Sequence, residues 1–552
     1  MTGFAIGFLS LSLRKEPGEV VTCVAWLVVL AWVAAVGAPW LAKNFARARA
    51  EALTVLGLFA AALALRLALP WGPVNFGETE RLEPLWSRSV PSCGMMCTVP
   101  SIAAIAQAMG LSLAAILRVG APLFGALGVA GAYAFARGAG LRRESGVLAA
   151  LIVLGWPAHL HYSTSMTFTV EGVAIWSLVF GAAHARSGAV PLRSALLAAL
   201  TVLGVYARPE YRLLLVPLAV VVLAAPWTWR ERALFAALLG VGLYAYLRYL
   251  PPSDMMRFAS GASKRFFPHL VGDEELSPYW WLYLGAAGVV AGLTARSRAA
   301  TSVALAITCA TLLWVYSLLA SESNPRWSQW RYYTSLVPFV AVAVALLGDR
   351  LGRPDGASWR RAVVPALLTL AALTPLPQLG ALRRVEDLEA EFAWIRATAP
   401  RALGRRNDLL VLANSDHPGL SQVRIEGPPR MALATLFGRL DWPAVCAPTA
   451  SPRLRLRDIE RVVAQCPESV SPERTAVYLG LSRDDARLAP ILERYRLVPI
   501  EERTMNVAKS ATMINRQCPS ITGDANGEIL GLSAPDCRVT LGWYRLEAKA
   551  AP

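Results

Sequence analysis

An acidic segment directly follows a stretch that is apolar enough to span a membrane. Residues 51–71 form the apolar stretch, and Glu78, Glu80 and Glu83 lie close together in the segment 72–115 that follows it. Acidic side chains are costly near lipid, and those that membrane proteins keep there usually serve a function. A carboxylate in such a place can act as a general base on the hydroxyl or amine of an acceptor. We expect Glu78 and Glu80 to be catalytic, with Glu78 slightly favoured and Glu83 a surface group; the alternative is a solvated loop.

A further ionisable residue, Glu171, lies inside or at the outer end of a predicted span. Such a residue needs a partner, a cavity or a protonated state, so we assign Glu171 to substrate binding. His159 and His161 precede it, and the three side chains together could hold a divalent metal. Two histidines at positions i and i+2 do not share a helix face, which makes metal binding the weaker interpretation. The sequence therefore establishes no cofactor and leaves a divalent metal open.

Basic and aromatic residues recur at the predicted outer turns. Arginine offers a planar fork that suits phosphate oxygens, and basic segments at membrane level suit a lipid phosphate headgroup. Each segment also has a plain structural interpretation, as a local ion pair, an amphipathic surface helix or an interfacial aromatic belt. The residues that we assign to substrate binding in these segments are Arg208 and Glu210, Lys264 and Arg265, and Arg331 and Tyr332.

The composition is that of a polytopic membrane protein. Of 552 residues, 55% are hydrophobic, and the mean hydropathy is +0.43. The apolar runs are continuous and rich in Leu and Ala, which indicates helices rather than the alternating strands of a membrane barrel. We expect a helical membrane domain over residues 1–382 with about twelve spans. The predicted spans are 21–41, 51–71, 116–137, 145–160, 168–185, 193–207, 210–226, 232–250, 279–295, 299–319, 333–349 and 362–380.

The net charge of +16 could indicate a nucleic-acid partner, but the distribution of the basic residues argues against one. These residues fall in alternate loops between the predicted spans, which is the positive-inside pattern that orients membrane proteins. We therefore expect the basic loops in the cytoplasm and the candidate site residues on the outer face. The preference for Arg over Lys and the Ala-rich spans indicate a GC-rich bacterial genome, so we expect a multi-pass protein of the bacterial inner membrane.

The cysteines are unevenly distributed across the predicted membrane. Cys23 and Cys309 lie within spans, and the other six all fall on the predicted outer side. An even number on one side suits an oxidising compartment and disulfide bonds. Sequence proximity favours three pairs, although proximity alone does not fix connectivity. The pairs are Cys93 with Cys97, Cys446 with Cys466, and Cys518 with Cys537.

The composition changes near Arg383, after which the chain is charged and rich in turns. The segment 383–552 is long enough to bury a core of its own. Helix patterns alternate with strand patterns in it, which predicts a small α/β domain on the outer face. The predicted helices are 385–399 and 454–466, and the predicted strands are 407–414, 475–482, 494–504 and 538–547.

Together these features resemble the GT-C superfamily of membrane glycosyltransferases, with the bacterial lipid A aminoarabinose transferases and the protein O-mannosyltransferases nearest in layout. The matching residues are Glu78 and Glu80 in the first large outer loop, Arg208 to Glu210 in the ARPE turn, and Arg331 and Tyr332 in WRYYTSLVP. The resemblance covers residues 45–380 as architecture and the C-terminal segment only in kind. The family usually has an Asp in the first loop, where this chain has Gly-Glu-Thr-Glu.

The resemblance implies transfer of a sugar from a polyprenyl-phosphate donor. Glu78 or Glu80 would deprotonate a lipid, glycan or protein acceptor. Arg331, Arg208 and the Lys264–Arg265 pair would hold the lipid phosphate that leaves. The competing interpretations are a polysaccharide polymerase or ligase, a lipid-linked glycan transporter and a non-catalytic scaffold. A transporter would more often show paired repeats with broken helices, and a polymerase would concentrate its arginines in one large loop.

Overall fold

The protein is described by a computed structural model that has a helical part and a C-terminal part. In the helical part the described residues are 17–69, 97–111, 113–156, 159–160, 163, 168–184, 193–249, 279–295, 297–319, 334–352 and 360–374. In the C-terminal part they are 394, 397–398, 401–402, 404, 408–412, 472–473, 475–479, 489–507 and 537–549. The two parts form separate compact units, with Leu69 alone grouped with the C-terminal one.

The described residues of the helical unit form α-helices, as the continuous apolar runs predict. A π-helical turn at Val33–Gly37 and 3-10 turns at Pro209–Leu214 and Thr334–Leu336 interrupt the regular pattern. The described α-helices are α1 (Pro17–Trp32), α2 (Ala38–Ala68), α3 (Thr98–Ala108), α4 (Leu113–Gly138), α5 (Arg143–Gly155), α6 (Phe168–His184), α7 (Arg193–Ala207), α8 (Leu215–Ala224), α9 (Trp229–Tyr249), α10 (Tyr279–Leu293), α11 (Arg298–Leu319), α12 (Val337–Leu351) and α13 (Arg360–Leu373).

The structure confirms a mainly helical protein with helices suited to a membrane. Each predicted span coincides with a helix, but a helix needs about 20 apolar residues to cross the hydrocarbon, and several of these are shorter. The expected number of about twelve spans therefore stays a prediction. Among the described residues, the four segments long and apolar enough to cross are Gly18–Ala46, Ala48–Ala68, Val119–Gly138 and Thr334–Leu351.

The connection between the first two predicted spans differs from expectation. We expected a loop between residues 41 and 51, whereas the backbone is helical from Pro17 through the π-helical turn to Ala68. Such turns insert one extra residue into a helix and locally change its path. The sequence gives no signal for this continuity, because the basic residues at 43–49 are as compatible with a helix as with a loop.

The helical stretch cannot be straight. The ring centroids of Trp26 in α1 and Phe124 in α4 lie 6.2 Å apart. Arg66 in α2 contacts α4 at Gly125, the residue after Phe124. A Cβ added to Gly125 would lie 2.5 Å from Arg66 Nε. A straight helix connecting positions 26 and 66 would be about 60 Å long, so the chain must fold back between these two contacts. The two predicted spans are thus the arms of a bent helical segment.

Side chains link the helix ends that carry the basic residues of the predicted cytoplasmic loops. Arg142, just before α5, forms an ion pair with Asp349 near the end of α12 at 3.0 Å. Arg350 in the same turn of α12 donates from Nη1 to the carbonyl of Ala291 near the end of α10 at 2.6 Å. These bonds place the α4–α5, α10–α11 and α12–α13 connections at one end of the bundle.

Two further contacts add the remaining basic connections to that end. Trp227 Nε1, just before α9, donates to the carbonyl of Ala183 near the end of α6 at 3.0 Å. At the end of α4, a Cβ added to Gly138 would lie 2.7 Å from the carbonyl oxygen of Gly181 in α6. We call the end formed by these connections the basic end. Its assignment to the cytoplasm stays a prediction.

The C-terminal unit contains a four-stranded sheet in the order β1-β2-β4-β3. Its strands are β1 (Asp408–Leu412), β2 (Thr475–Leu479), β3 (Tyr495–Val507) and β4 (Cys537–Ala548), with a short helix α14 (Ala489–Arg494) before β3. The β1–β2 pair is parallel and the other pairs are antiparallel. All four predicted strands are confirmed as strands, whereas most of the predicted helix 385–399 and all of 454–466 lie outside the described residues.

Aromatic side chains form the core of this sheet. Tyr478 in β2 and Trp543 in β4 are buried, with ring centroids 5.1 Å apart in an edge-to-face arrangement. Trp543 Nε1 donates to Thr398 Oγ1 at 2.8 Å, which gives the buried indole its polar partner. The sheet therefore has the packed interior expected of an independent domain.

Candidate functional site

The structure places only part of the predicted site. Glu171 and Arg208 are described with their side chains, and Glu210 is described by its backbone alone. The other predicted site residues lie outside the described residues and keep the status of predictions. They are Glu78 and Glu80, Lys264 and Arg265, and Arg331 and Tyr332.

Tyr211 brings three of the predicted site segments together. It lies in the turn Pro209–Leu214, directly after the ARPE sequence. Its hydroxyl lies 2.8 Å from Ser335 Oγ, at the start of the segment that follows Tyr332 in the chain. Its ring occupies the space next to Gly172, where an added Cβ would lie 1.9 Å from Tyr211 Cε2. Only glycine fits beside this ring without a shift, so the close approach depends on residue 172.

Glu171 and Arg208 are both buried at the end of the bundle opposite the basic end. Their exposed fractions are 1% and 3%. Glu171 lies in the first turn of α6 and Arg208 directly follows α7. Because α6 ends and α7 begins at the basic end, these two residues lie at the far end, which we call the polar end. Ionisable side chains buried in a membrane bundle are typical of ligand and ion sites.

The polar end also contains Arg66, a residue that the sequence analysis did not single out. Arg66 is 1% exposed and lies near the end of α2. Its Nε donates to Ser163 Oγ at 2.6 Å and its Nη1 to the carbonyl of Ala62 at 3.1 Å. Its Nη2 lies 3.0 Å from His159 Nδ1. The guanidinium therefore joins α2 to the connection between α5 and α6, just ahead of Glu171.

Two glycines of α4 make room for this cluster. An added Cβ on Gly125 would lie 2.4 Å from Ser163 Cβ, and one on Gly128 would lie 3.2 Å from His159 Nε2. The available signal in the sequence was a single arginine inside the apolar run ALALRLALP. A lone charge in a span indicates a functional or structural role by itself.

Comparison with known proteins gives no family: no family model matches the chain, and no curated protein matches it. The resemblance to membrane glycosyltransferases therefore depends on the residues themselves.

His159 has two polar neighbours at its Nδ1 atom. Its Nδ1 lies 3.0 Å from the carbonyl of Val153 as well as from Arg66. Within the described part of the chain, no group of three His, Cys, Asp or Glu side chains is arranged to hold a metal ion. His161, the other histidine of the predicted metal site, lies outside that part.

The cysteines whose side chains are described agree with the prediction of which cysteines form disulfide bonds. Cys97 is disulfide-bonded, whereas Cys23 in α1 and Cys309 in α11 form no disulfide bond. Cys93, Cys446, Cys466 and Cys518 lie outside the described residues, and Cys537 is described by its backbone in β4. The three predicted pairings therefore stay predictions.

A short helix that the sequence analysis missed begins directly after Cys97. Helix α3 is held by Thr98, whose hydroxyl donates to the carbonyl of Leu203 in α7 at 2.6 Å and whose carbonyl accepts from Trp26 Nε1 at 3.0 Å. These bonds are buried, and they fix α3 against the polar-end half of α7. With only eleven residues, its apolar run was too short to predict a span.

The polar end thus combines cationic, acidic and hydroxyl groups within an apolar bundle. Arg66 and Arg208 supply fixed positive charge, Glu171 supplies an acid, and Tyr211 and Ser335 supply paired hydroxyls. Low dielectric surroundings strengthen the attraction of such groups for a charged or hydroxyl-rich ligand. The arrangement suits binding of an anionic, polyhydroxylated ligand such as a sugar phosphate.

Proposed function

We propose that the protein is an integral-membrane glycosyltransferase that moves a sugar from a polyprenyl-phosphate donor to an acceptor at the polar end. The observation that supports this most is the meeting of Gly172, Tyr211 and Ser335. It joins the segments of Glu171, the ARPE turn and WRYYTSLVP, which lie far apart in the chain. A shared contact between these segments is required if they form one binding site.

The proposed reaction is a direct displacement. Glu78 or Glu80 takes the proton of an acceptor hydroxyl or amine, which attacks the anomeric carbon of the sugar with inversion. The bond from that carbon to the phosphate oxygen breaks, and polyprenyl phosphate leaves with the electron pair. Arg208 and Arg331, with the Lys264–Arg265 pair, stabilise the negative charge that develops on this leaving group.

The proposed setting is the bacterial inner membrane, with about twelve spans, the basic end in the cytoplasm, and the polar end and the C-terminal domain outside. The clustering of basic connections at one end supports this orientation, because basic loops stay cytoplasmic. The disulfide at Cys97 supports an oxidising outer compartment. The acceptor is a lipid, a glycan or a protein, and membrane lipids surround the bundle.

The test is mass spectrometry of envelope lipids, glycans and glycoproteins from four strains at equal protein abundance. One strain lacks the protein and one carries it intact. The third carries Glu78→Gln with Glu80→Gln, and the fourth carries Glu83→Gln as a matched control in the same segment. We expect one sugar modification to be missing in the deletion strain and in the double variant, and present in the control.

Two outcomes would contradict the proposal. If the double variant matches the intact strain while the deletion does not, the acids are not catalytic, and a transporter or scaffold becomes the better account. If the deletion strain loses no sugar from any envelope component, the transfer reaction itself is wrong.

A further inference from the structure

Within the described part of the chain, the hydrogen-bond partners of the buried Arg66 are all neutral. Its three hydrogen-bond partners are a serine hydroxyl, a backbone carbonyl and an imidazole nitrogen. Among the described residues no carboxylate lies within ion-pair distance of it, although other arginines of the bundle, such as Arg137 and Arg142, have an acid at 2.7 and 3.0 Å. Arginine keeps its proton in proteins, so the positive charge remains.

A buried charge that only neutral dipoles solvate is costly and attracts an opposite charge. Solvent screening is weak in such surroundings, so the attraction extends well beyond hydrogen-bond distance. Arg66 lies at the same end of the bundle as Glu171, Arg208 and Tyr211. A negatively charged ligand at that end would be attracted by the charge of Arg66 without contacting its side chain.

We infer that Arg66 is a specificity-determining residue that makes the polar end select anionic over neutral polyprenyl ligands. This inference depends on the proposed function for the identity of the ligand class. Arg66 acts through its charge, held in place by Ser163 and His159, and does not itself need to contact the phosphate. For a phosphate about 10 Å away and an effective dielectric constant of about 20, the expected gain in affinity is roughly tenfold.

The experiment compares binding of undecaprenyl phosphate and undecaprenol to the purified full-length protein by native mass spectrometry in zwitterionic detergent. The measured quantity is the ratio of the two dissociation constants. A loss of packing would weaken the binding of both lipids equally and leave this ratio unchanged. Arg66→Met removes the charge and keeps an apolar side chain of similar length. We expect it to reduce the preference for the phosphate by about tenfold and to leave undecaprenol binding unchanged.

A second variant removes the net charge while keeping the arginine. Ser163 Oγ lies 2.6 Å from Arg66 Nε, so Ser163→Asp would place a carboxylate against the guanidinium. It should reduce the preference as Arg66→Met does. Ser163→Asn has the same size without the charge, so the preference should remain. This pair keeps the test valid even if Arg66→Met does not fold.

Arg232 is the matched control at the basic end. Its guanidinium also bonds to carbonyls only, those of Val222, Leu223 and Ala225. Arg232→Met should therefore leave the preference unchanged, because it lies at the other end of the bundle. Arg66→Lys should retain most of the preference, because it keeps the charge.

The outcomes separate this inference from the proposed function. If Arg66→Met and Ser163→Asp bind undecaprenyl phosphate with the same preference as the intact protein, the inference is wrong and the proposed transfer reaction is untouched. If Ser163→Asn loses as much preference as Ser163→Asp, the cluster acts through packing rather than charge, which also overturns it. If the intact protein does not distinguish the two lipids at all, both the inference and the proposed donor class are wrong.

Discussion

Replacing Gly172 by alanine should displace Tyr211 from its place at the polar end. The new Cβ would lie 1.9, 2.4 and 2.6 Å from Cε2, Cζ and the hydroxyl oxygen of Tyr211. The ring is 1% exposed and cannot move into solvent. Overpacking of this kind costs about 1–3 kcal/mol, and loss of the bond to Ser335 adds about 1 kcal/mol. We expect Gly172→Ala to lower the free energy of unfolding by about 2–4 kcal/mol.

A double-mutant cycle with Tyr211→Leu isolates this clash. Leucine lacks the three atoms that the alanine Cβ would meet. In the Tyr211→Leu background, Gly172→Ala should therefore cost nothing, or stabilise by up to about 1 kcal/mol, because alanine favours a helix more than glycine does. The expected coupling between the two positions is about 3 kcal/mol.

The assay is equilibrium unfolding of the purified protein by SDS in mixed micelles. Gly240→Ala is the matched control, because an added Cβ at that helical position meets nothing within 4 Å. It should leave the protein as stable as before or slightly more so. If Gly172→Ala lowers the free energy of unfolding by the same amount in the presence and in the absence of the tyrosine ring, the packing described at Tyr211 is refuted.

Three further predictions concern other parts of the chain. Gly288→Ala should prevent assembly of α10 with α12, since its Cβ would lie 1.8 Å from the backbone oxygen of Ala343; the check is loss of monodisperse protein in size-exclusion chromatography. Trp543→Phe should lose the hydrogen bond to Thr398 and destabilise the C-terminal sheet by about 1–2 kcal/mol. Limited proteolysis of the full-length protein should then cleave the C-terminal sheet faster. Cys97 should resist maleimide in the denatured protein until a reductant is added, whereas Cys23 and Cys309, which form no disulfide bond, should react at once; peptide mapping distinguishes them.

The sequence predicted the elements of the fold better than their arrangement. Helix positions follow from long apolar runs, and the four strands follow from short runs such as NDLLVLAN at 407–414, because both signals are local. The reversal of the chain between residues 41 and 51 was predicted from the two apolar runs, whereas the helical backbone through it was not, because no local pattern there distinguishes a helix from a loop. Helix α3 was missed because its apolar run of eleven residues is too short to predict a span.

The candidate site was predictable to a similar degree. Glu171 and Arg208 were found because a charge near lipid is visible in the sequence, and both are buried at one end of the bundle. Tyr211 was missed because a tyrosine beside a span looks like an interfacial residue. Arg66 was missed because its importance lies in the neutrality of its partners, Ser163 and His159, which are distant in sequence.

The bond between Arg142 and Asp349 has a consequence for how the protein is made. The two residues lie 207 positions apart. At synthesis rates of about 5–20 residues per second, Arg142 is made about 10–40 s before its partner exists. The other acceptor of the guanidinium, the carbonyl of Gly352, is made later still. The connection between α4 and α5 therefore gains its bonds to the end of α12 only after most of the helical unit has been synthesised.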